Sequence, residues 1–537
     1  MVQGKGGIMT PSPVGARRTD PLDADENRAL AVVRRFGIVG ALLLAFGSLG
    51  AGAAPILNPV LDIPVLRLFA RIPTVSVAIA FTGMGLMVIA WLWLGRFARP
   101  GRDRIASQSQ VLRTLLTWVL PLVVIPPLFS RDVYSYLAQS EIVRRGFDPY
   151  QLGPAEALGV ADPFTAGVSN MWRDTPAPYG PLFLEAGSWL SGVAGTNVAL
   201  GVLLQRLLAL AGFALIVWAL PRLARRYGVA PGTALWLGAA NPLVLFHLVA
   251  GAHNEALGIG LMLVGLELGM RRLAVRVKGA PPPPRAKGEL TYIVLGAVVI
   301  SLAAMVKIHA IVALGFFGVM VARRAKGRFL DLAAAAALML VIFVAVTLAV
   351  GFGTGLGFGW VGALDTPSKV WSWTSPGAEL GQLGGVLGVF LGLGNHTASV
   401  IAILNLLGYA VAGAVTVKFL WDSFHWRYRP IIGLGVSLGT FMLLHVSMQP
   451  WWLLWAVIPL AAAAGTSRFR NAATAASAVL ALLIPPTGSP FDNRSFILHQ
   501  AYAAAVIVVL LAVLVAWRSA PMLLRLPGRG PRPTATS

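Results

Sequence analysis

The chain of 537 residues contains no cysteine, which excludes disulfides, thiol nucleophiles and thiolate-bound metals. It is poor in charge as well: 12% of its residues are Asp, Glu, Lys or Arg, against roughly 25% in an ordinary soluble protein. With 57% hydrophobic residues, a soluble globular core is excluded, because it cannot absorb that much apolar surface. A bilayer can, since a helix crossing about 30 Å of hydrocarbon requires about 20 apolar residues with its backbone bonds closed internally. A cleavable targeting peptide is not expected: residues 1–35 are long and polar, and Pro55 stands just after the small residues Ala51 to Ala54 where a cut would fall.

Apolar runs are what the chain has in abundance. They predict an all-α polytopic membrane protein with about 14 transmembrane helices, near 36–55, 73–95, 111–130, 198–220, 231–248, 255–271, 290–306, 308–322, 330–351, 398–419, 431–447, 451–464, 472–486 and 499–517. A polar N-terminal segment (1–35) and a Pro/Gly-rich tail (518–537) flank a membrane domain (36–517) that carries two long loops, 131–197 and 351–397. Acidic residues number only 21 against 43 Lys and Arg, a net charge of +22. With both termini cytosolic, most of the basic residues fall in the short inner connections, so the charge is a topology signal and not the footprint of a nucleic acid. No globular cytosolic domain is left for chemistry, and the long loops face outward, so an outward-facing site in the plasma membrane is expected.

The densest polar cluster opens the first long loop: Arg131, Asp132, Tyr134 and Tyr136, with Gln139 and Glu141 beyond. A carboxylate at a membrane interface loses water, which raises its proton affinity and suits it to act as a base. A helix cap followed by belt tyrosines has the same composition. The loop continues through Asp148, Tyr150, Trp172, Asp174 and Tyr179, residue types that hold sugars by hydroxyl hydrogen bonds and flat ring faces. Residues 182–193 read as a helix lying on the membrane. His253, Asn254 and Glu255 fall at an outer turn, where a merely solvated tip is the bland alternative. Lys307 interrupts an apolar stretch, and Arg206 lies inside a span; a charge there costs about 2.5 to 3.5 kcal/mol on insertion scales, so each is a functional candidate, with snorkelling as the plain alternative. The glycines Gly357, Gly359 and Gly362 match a dinucleotide spacing without its strand, and Asp23 and Asp25 lie in a polar tail, so both matches are discarded. No spacing reads as a metal cage.

An acidic residue in the first large outer loop, a Tyr/Pro segment leading to a surface helix, and many further spans resemble the GT-C superfamily of polyprenyl-phosphate-sugar transferases. The strings SRDVYSYLAQ from Ser130, DTPAPYGPLFL from Asp174, WLGAANPL from Trp236, HLVAGAHNEAL from His247 and QPWWLLWAVIPLAA from Gln449 resemble, more closely, the actinobacterial α-1,6-mannosyltransferases of MptB type. The likeness runs over roughly residues 35–517.

The resemblance implies a GT-C-like bundle and an inverting transfer of mannose from polyprenyl-phosphate mannose to a mannosylated phosphatidylinositol or growing α-1,6-mannan. It matches Asp132 to the catalytic base. His253, Asn254, Glu255 and Lys307 fall at recurrent polar positions. Lys307 and Arg131 are the cations expected at the lipid phosphate, and no cofactor or metal is implied. The rivals are a related transferase moving arabinose or glucose, and a lipid-linked-sugar transporter. Against the transporter, most candidates cluster in one outer loop and not in broken mid-membrane helices.

Overall fold

A computed structural model of the protein describes residues 20–274, 276, 278–463, 466–487 and 495–523. All regular structure among them is helical. The α-helices of eight residues or more are α1 Ala24–Ala51, α2 Pro73–Ala98, α3 Gln108–Val119, α4 Asp132–Arg144, α5 Pro181–Ala194, α6 Val198–Arg226, α7 Pro231–Gly238, α8 Glu255–Met270, α9 Glu289–Ala304, α10 Val312–Arg324, α11 Phe329–Gly353, α12 Pro376–Phe390, α13 Thr397–Phe424, α14 Pro430–Leu444, α15 Leu454–Ala461, α16 Ser467–Leu483 and α17 Ser495–Ser519.

Helix α1 starts twelve residues before the expected Phe36. Asp23 accepts the Glu26 N–H at 2.8 Å and Glu26 accepts the Asp23 N–H at 3.1 Å, a reciprocal cap. Asp23 and Asp25, discarded as a metal pair, therefore belong to a helix start, and they pair with Arg104 and Arg28. Residues 24–35 of the polar segment are thus part of this helix. Residues 1–19, and 524–537 of the tail, lie outside the described residues.

The expected count of fourteen crossings is corrected. Among the described residues six helices are long and apolar enough to cross a membrane: α1, α2, α6, α11, α13 and residues 497–519 of α17. A seventh is added if Val244–Ala250 and α8, bent by 107°, count as one. Reading each apolar run as a crossing overlooks where the helices stop. The run 111–130 is helical only to Val119, then tightens over Leu120–Leu122 at Pro121, and Pro126 and Pro127 follow; proline removes an N–H and clashes with the preceding turn. Asn241-Pro242 likewise splits 231–248. Helices α8, α9, α10, α14, α15 and α16 have 8 to 17 residues, short of the roughly 20 a crossing takes.

Among the short helices α7, α8 and α15 are largely buried, whereas few residues of the long α11 and α13 are. Helix α7 is buried from Gly232 to Gly238. It is tied to α2 by Trp91 and Trp236, whose indole N–H groups donate to each other's backbone carbonyls at 2.8 and 2.9 Å. Helices α11 and α13 expose Leu340, Val341, Leu406 and Val411, a surface suited to lipid tails. Helices α1 and α2 approach closely: a Cβ on Gly83 would lie 2.5 Å from the Leu44 nitrogen, the small-residue contact common between membrane helices. Arg206, fully buried on α6, bonds to the carbonyls of Ile125, Val123 and Ala250. It satisfies the backbone left open where the helices around it stop.

Candidate active site

Three interruptions of helical structure converge. The first is the start of α4, where Phe129 holds a φ of 69° just before Ser130, Arg131 and Asp132. The second is the turn between the π-helix Val244–Ala250 and α8, where Ala252 holds a φ of 56° just before His253, Asn254 and Glu255. The third is Lys307, extended between α9 and the 3₁₀ turn Ile308–Ile311. Positive φ is costly for residues with a Cβ, and π-turns and strained backbones recur at functional sites.

The side chains meet there. His253 Nδ1 lies 3.4 Å from Asp132 Oδ2 and 3.9 Å from Glu255 Oε2. The Lys307 ammonium is bonded to Glu255 Oε1 and lies over the rings of Tyr179 and Trp452, 5.9 and 5.6 Å from their centroids. The Tyr136 hydroxyl is 3.5 Å from His253 Nδ1, and the Tyr136 and Tyr179 rings pack edge to face at 5.1 Å. His253 and Glu255 are buried, whereas 25% of the Asp132 side chain is open. Burial, then the charge of Glu255, push the Asp132 carboxyl up to about 7, with Lys307 offsetting part of the rise. Such a group is half ionised near neutral pH and has one open side, as a general base requires.

Tyr179 reaches this cluster because the strand-like segment before α5 docks on the α9 break. Gly180 N–H donates to the Val306 carbonyl and Leu182 N–H to the Met305 carbonyl, each at 3.2 Å. Tyr150, buried, donates its hydroxyl to the Tyr179 carbonyl at 3.1 Å.

Of the other sequence candidates, all but Asn254 lie apart from the cluster. The Arg131 guanidinium donates to the Gly167 carbonyl at 3.1 Å and stacks over Tyr134, and Tyr134 in turn bonds to the Ala53 carbonyl. Asp148 caps its own turn by accepting the Tyr150 N–H at 2.8 Å. Asp174 is exposed and Trp172 half-buried, neither with a side-chain bond to the cluster. Asn254 is buried beside it with both amide atoms unpartnered. Glu141, in the same helix as Asp132, serves the scaffold: burial would raise its carboxyl, but bonds from Arg144, Ser191 and Arg145 outweigh that and hold it at about 2.

Sequence reasoning assigned no role to Ser130, His247, Trp451 or Trp452. Trp451 stacks on His253 at 4.1 Å and on His247 at 4.9 Å. The available signal was the pair of adjacent tryptophans after Pro450, apolar enough to pass as part of a span.

Comparison with known proteins supplies the identity. The alpha-(1->6)-mannopyranosyltransferase N-terminal domain family matches residues 34–323, and the MptB C-terminal domain family matches residues 377–514. The alpha-(1->6)-mannopyranosyltransferase of Mycobacterium tuberculosis is 42% identical over 92% of this chain and 89% of its own length. The chain belongs to the alpha-(1->6)-mannopyranosyltransferase family. Alpha-(1->6)-mannopyranosyltransferase B of Corynebacterium glutamicum is 34% identical over 95% of this chain and 85% of its own. The family membership makes the chain an enzyme, a mannosyltransferase, as the resemblance implied. The archaeal oligosaccharyltransferase of Archaeoglobus fulgidus aligns with 85% of this chain and 56% of its own at 13% identity, with a TM-score of 0.31, too slight a likeness to show a common fold.

Proposed function

We propose that the protein transfers mannose from polyprenyl-phosphate mannose to the 6-hydroxyl of an α-mannoside acceptor, with inversion, at the outer face of the plasma membrane. The observation that carries this reading is the partly open Asp132 carboxyl set among buried His253 and Glu255 and the nearly buried Lys307. A sugar hydroxyl is too weakly acidic to ionise freely, so Asp132 takes its proton as the oxygen attacks the anomeric carbon. The bond from that carbon to the phosphate oxygen breaks on the opposite side, and the β-linked donor becomes an α-linked product. The electron pair leaves with the lipid monophosphate.

The charge growing on the phosphate needs a fixed cation, and Lys307 is the ammonium within the cluster. Glu255 occupies it in the structure, so donor phosphate and Glu255 compete for one cation. Tyr179 and Trp452, whose rings flank the ammonium, offer flat faces to the sugar. A donor dissolved in the membrane suits the apolar faces around the bundle, and an acceptor of mannosylated phosphatidylinositol or mannan would sit at the same interface. GT-C architecture and cytosolic termini complete the reading.

Purified enzyme with labelled polyprenyl-phosphate mannose and a short α-mannoside should form an α-1,6 product, and with GDP-mannose none. Product from GDP-mannose would overturn the donor and the outward-facing site together.

A further inference from the structure

Asp132 is held at two points by one closed chain of contacts. Its backbone N–H donates to Ser130 Oγ at 3.2 Å. The Ser130 hydroxyl lies 3.1 Å from His253 Nε2; it keeps a second lone pair, so either atom can be the donor, and one of the two arrangements has Ser130 donating. In that arrangement Nε2 accepts and carries no proton, and a neutral imidazole has its N–H at Nδ1. Nδ1 faces Asp132 Oδ2 at 3.4 Å, with the Tyr136 hydroxyl at 3.5 Å and Glu255 Oε2 at 3.9 Å beside it; catalytic contacts of this length tighten when a substrate binds. The ring itself has little freedom: Trp451 stacks on it at 4.1 Å, and a Cβ on Gly251 would lie 2.8 Å from its Cδ2.

We propose that His253, its tautomer set by Ser130, is a positioning residue that engages Oδ2 of Asp132 and leaves Oδ1 to take the proton of the acceptor hydroxyl. The arrangement reverses a hydrolase triad, in which a carboxylate orients a histidine base. It rests on the reading of Asp132 as the base.

Ser130→Ala removes the group that fixes the tautomer. The ring can then carry its proton on Nε2 and turn a lone pair toward Asp132, which favours the protonated carboxyl. His253→Phe keeps the stacking on Trp451 and removes the N–H. Glu255, Lys307, Tyr136 and Tyr179, which also face Asp132, and His247, whose ring lies 5.9 Å from that of His253, are untouched in both.

The test measures kcat and KM against pH with polyprenyl-phosphate mannose and a short α-mannoside. Ser130→Ala should lose about 10-fold to 100-fold in kcat, the scale of a slightly misplaced reacting group. Acceptor KM should stay unchanged and the acid limb should move to higher pH. Ser130→Thr should restore both, and His253→Phe should shift the limb in the same direction. An acid limb at its wild-type position in both Ser130→Ala and His253→Phe would overturn the proposal, whatever their turnover. If that result accompanies an inactive Asp132→Asn, the base assignment survives and only the positioning role falls. An active Asp132→Asn overturns both.

Discussion

Lys307 and Glu255 form an ion pair across the mouths of two helix breaks, 52 residues apart in the chain, with the carboxylate 1% and the ammonium 12% exposed. A pair so little hydrated is held together largely by mutual need: removing one partner strands a buried charge, at a cost of about 3 to 5 kcal/mol. Lys307→Met should therefore lower both thermal stability in detergent and donor use. Lys307→Met combined with Glu255→Gln should recover stability while donor use stays impaired. Recovery of donor use in the double variant would show that Lys307 matters only as the partner of Glu255.

Asp132→Asn keeps the shape of the side chain and cannot accept a proton. Turnover should fall by about 100-fold or more, the range attributed to a positioned base, with membrane abundance unchanged on immunoblot. Near-normal turnover would remove Asp132 from the chemistry.

The raised Asp132 carboxyl predicts the pH dependence. Below about 7 it is protonated and cannot act as a base; above about 7 it is ionised, so kcat/KM should rise through that pH and level off. Its neighbours act in known directions, Glu255 raising the midpoint and Lys307 lowering it. Glu255→Gln should therefore move the midpoint down. A profile flat from pH 5 to 8 would contradict the assignment.

Gly180 lets the loop backbone lie against the α9 break. A Cβ there would sit 2.0 Å from the Met305 carbonyl oxygen, and backbone cannot yield as a flexible side chain can. Gly180→Ala should cost about 1 to 3 kcal/mol of docking, withdrawing Tyr179 from Lys307. Activity should drop, and limited proteolysis should find the loop before α5 more accessible. Unchanged proteolysis and activity would mean that the loop accommodates the methyl.

The helical class, the position of most helices and a set of candidate polar residues are legible in the sequence. Apolar runs and their polar interruptions are local properties, and Asp132, the His253–Glu255 turn and Lys307 each stand at such an interruption. It could not determine how many runs cross a membrane alone, because a hydropathy reading does not say which helices stop early and pack among others. Nor could it choose among the polar residues. Arg131 adjoins Asp132 in the chain, yet successive residues entering a helix point about 100° apart, and its guanidinium goes to Gly167. Ser130 carried no local signal of a role and the Trp451–Trp452 pair passed as part of a span; packing brings Ser130 and Trp451 to His253. Which groups meet was decided by the convergence of three helix breaks distant in sequence, where packing, and not composition, places a buried histidine beside a carboxylate that is one quarter open.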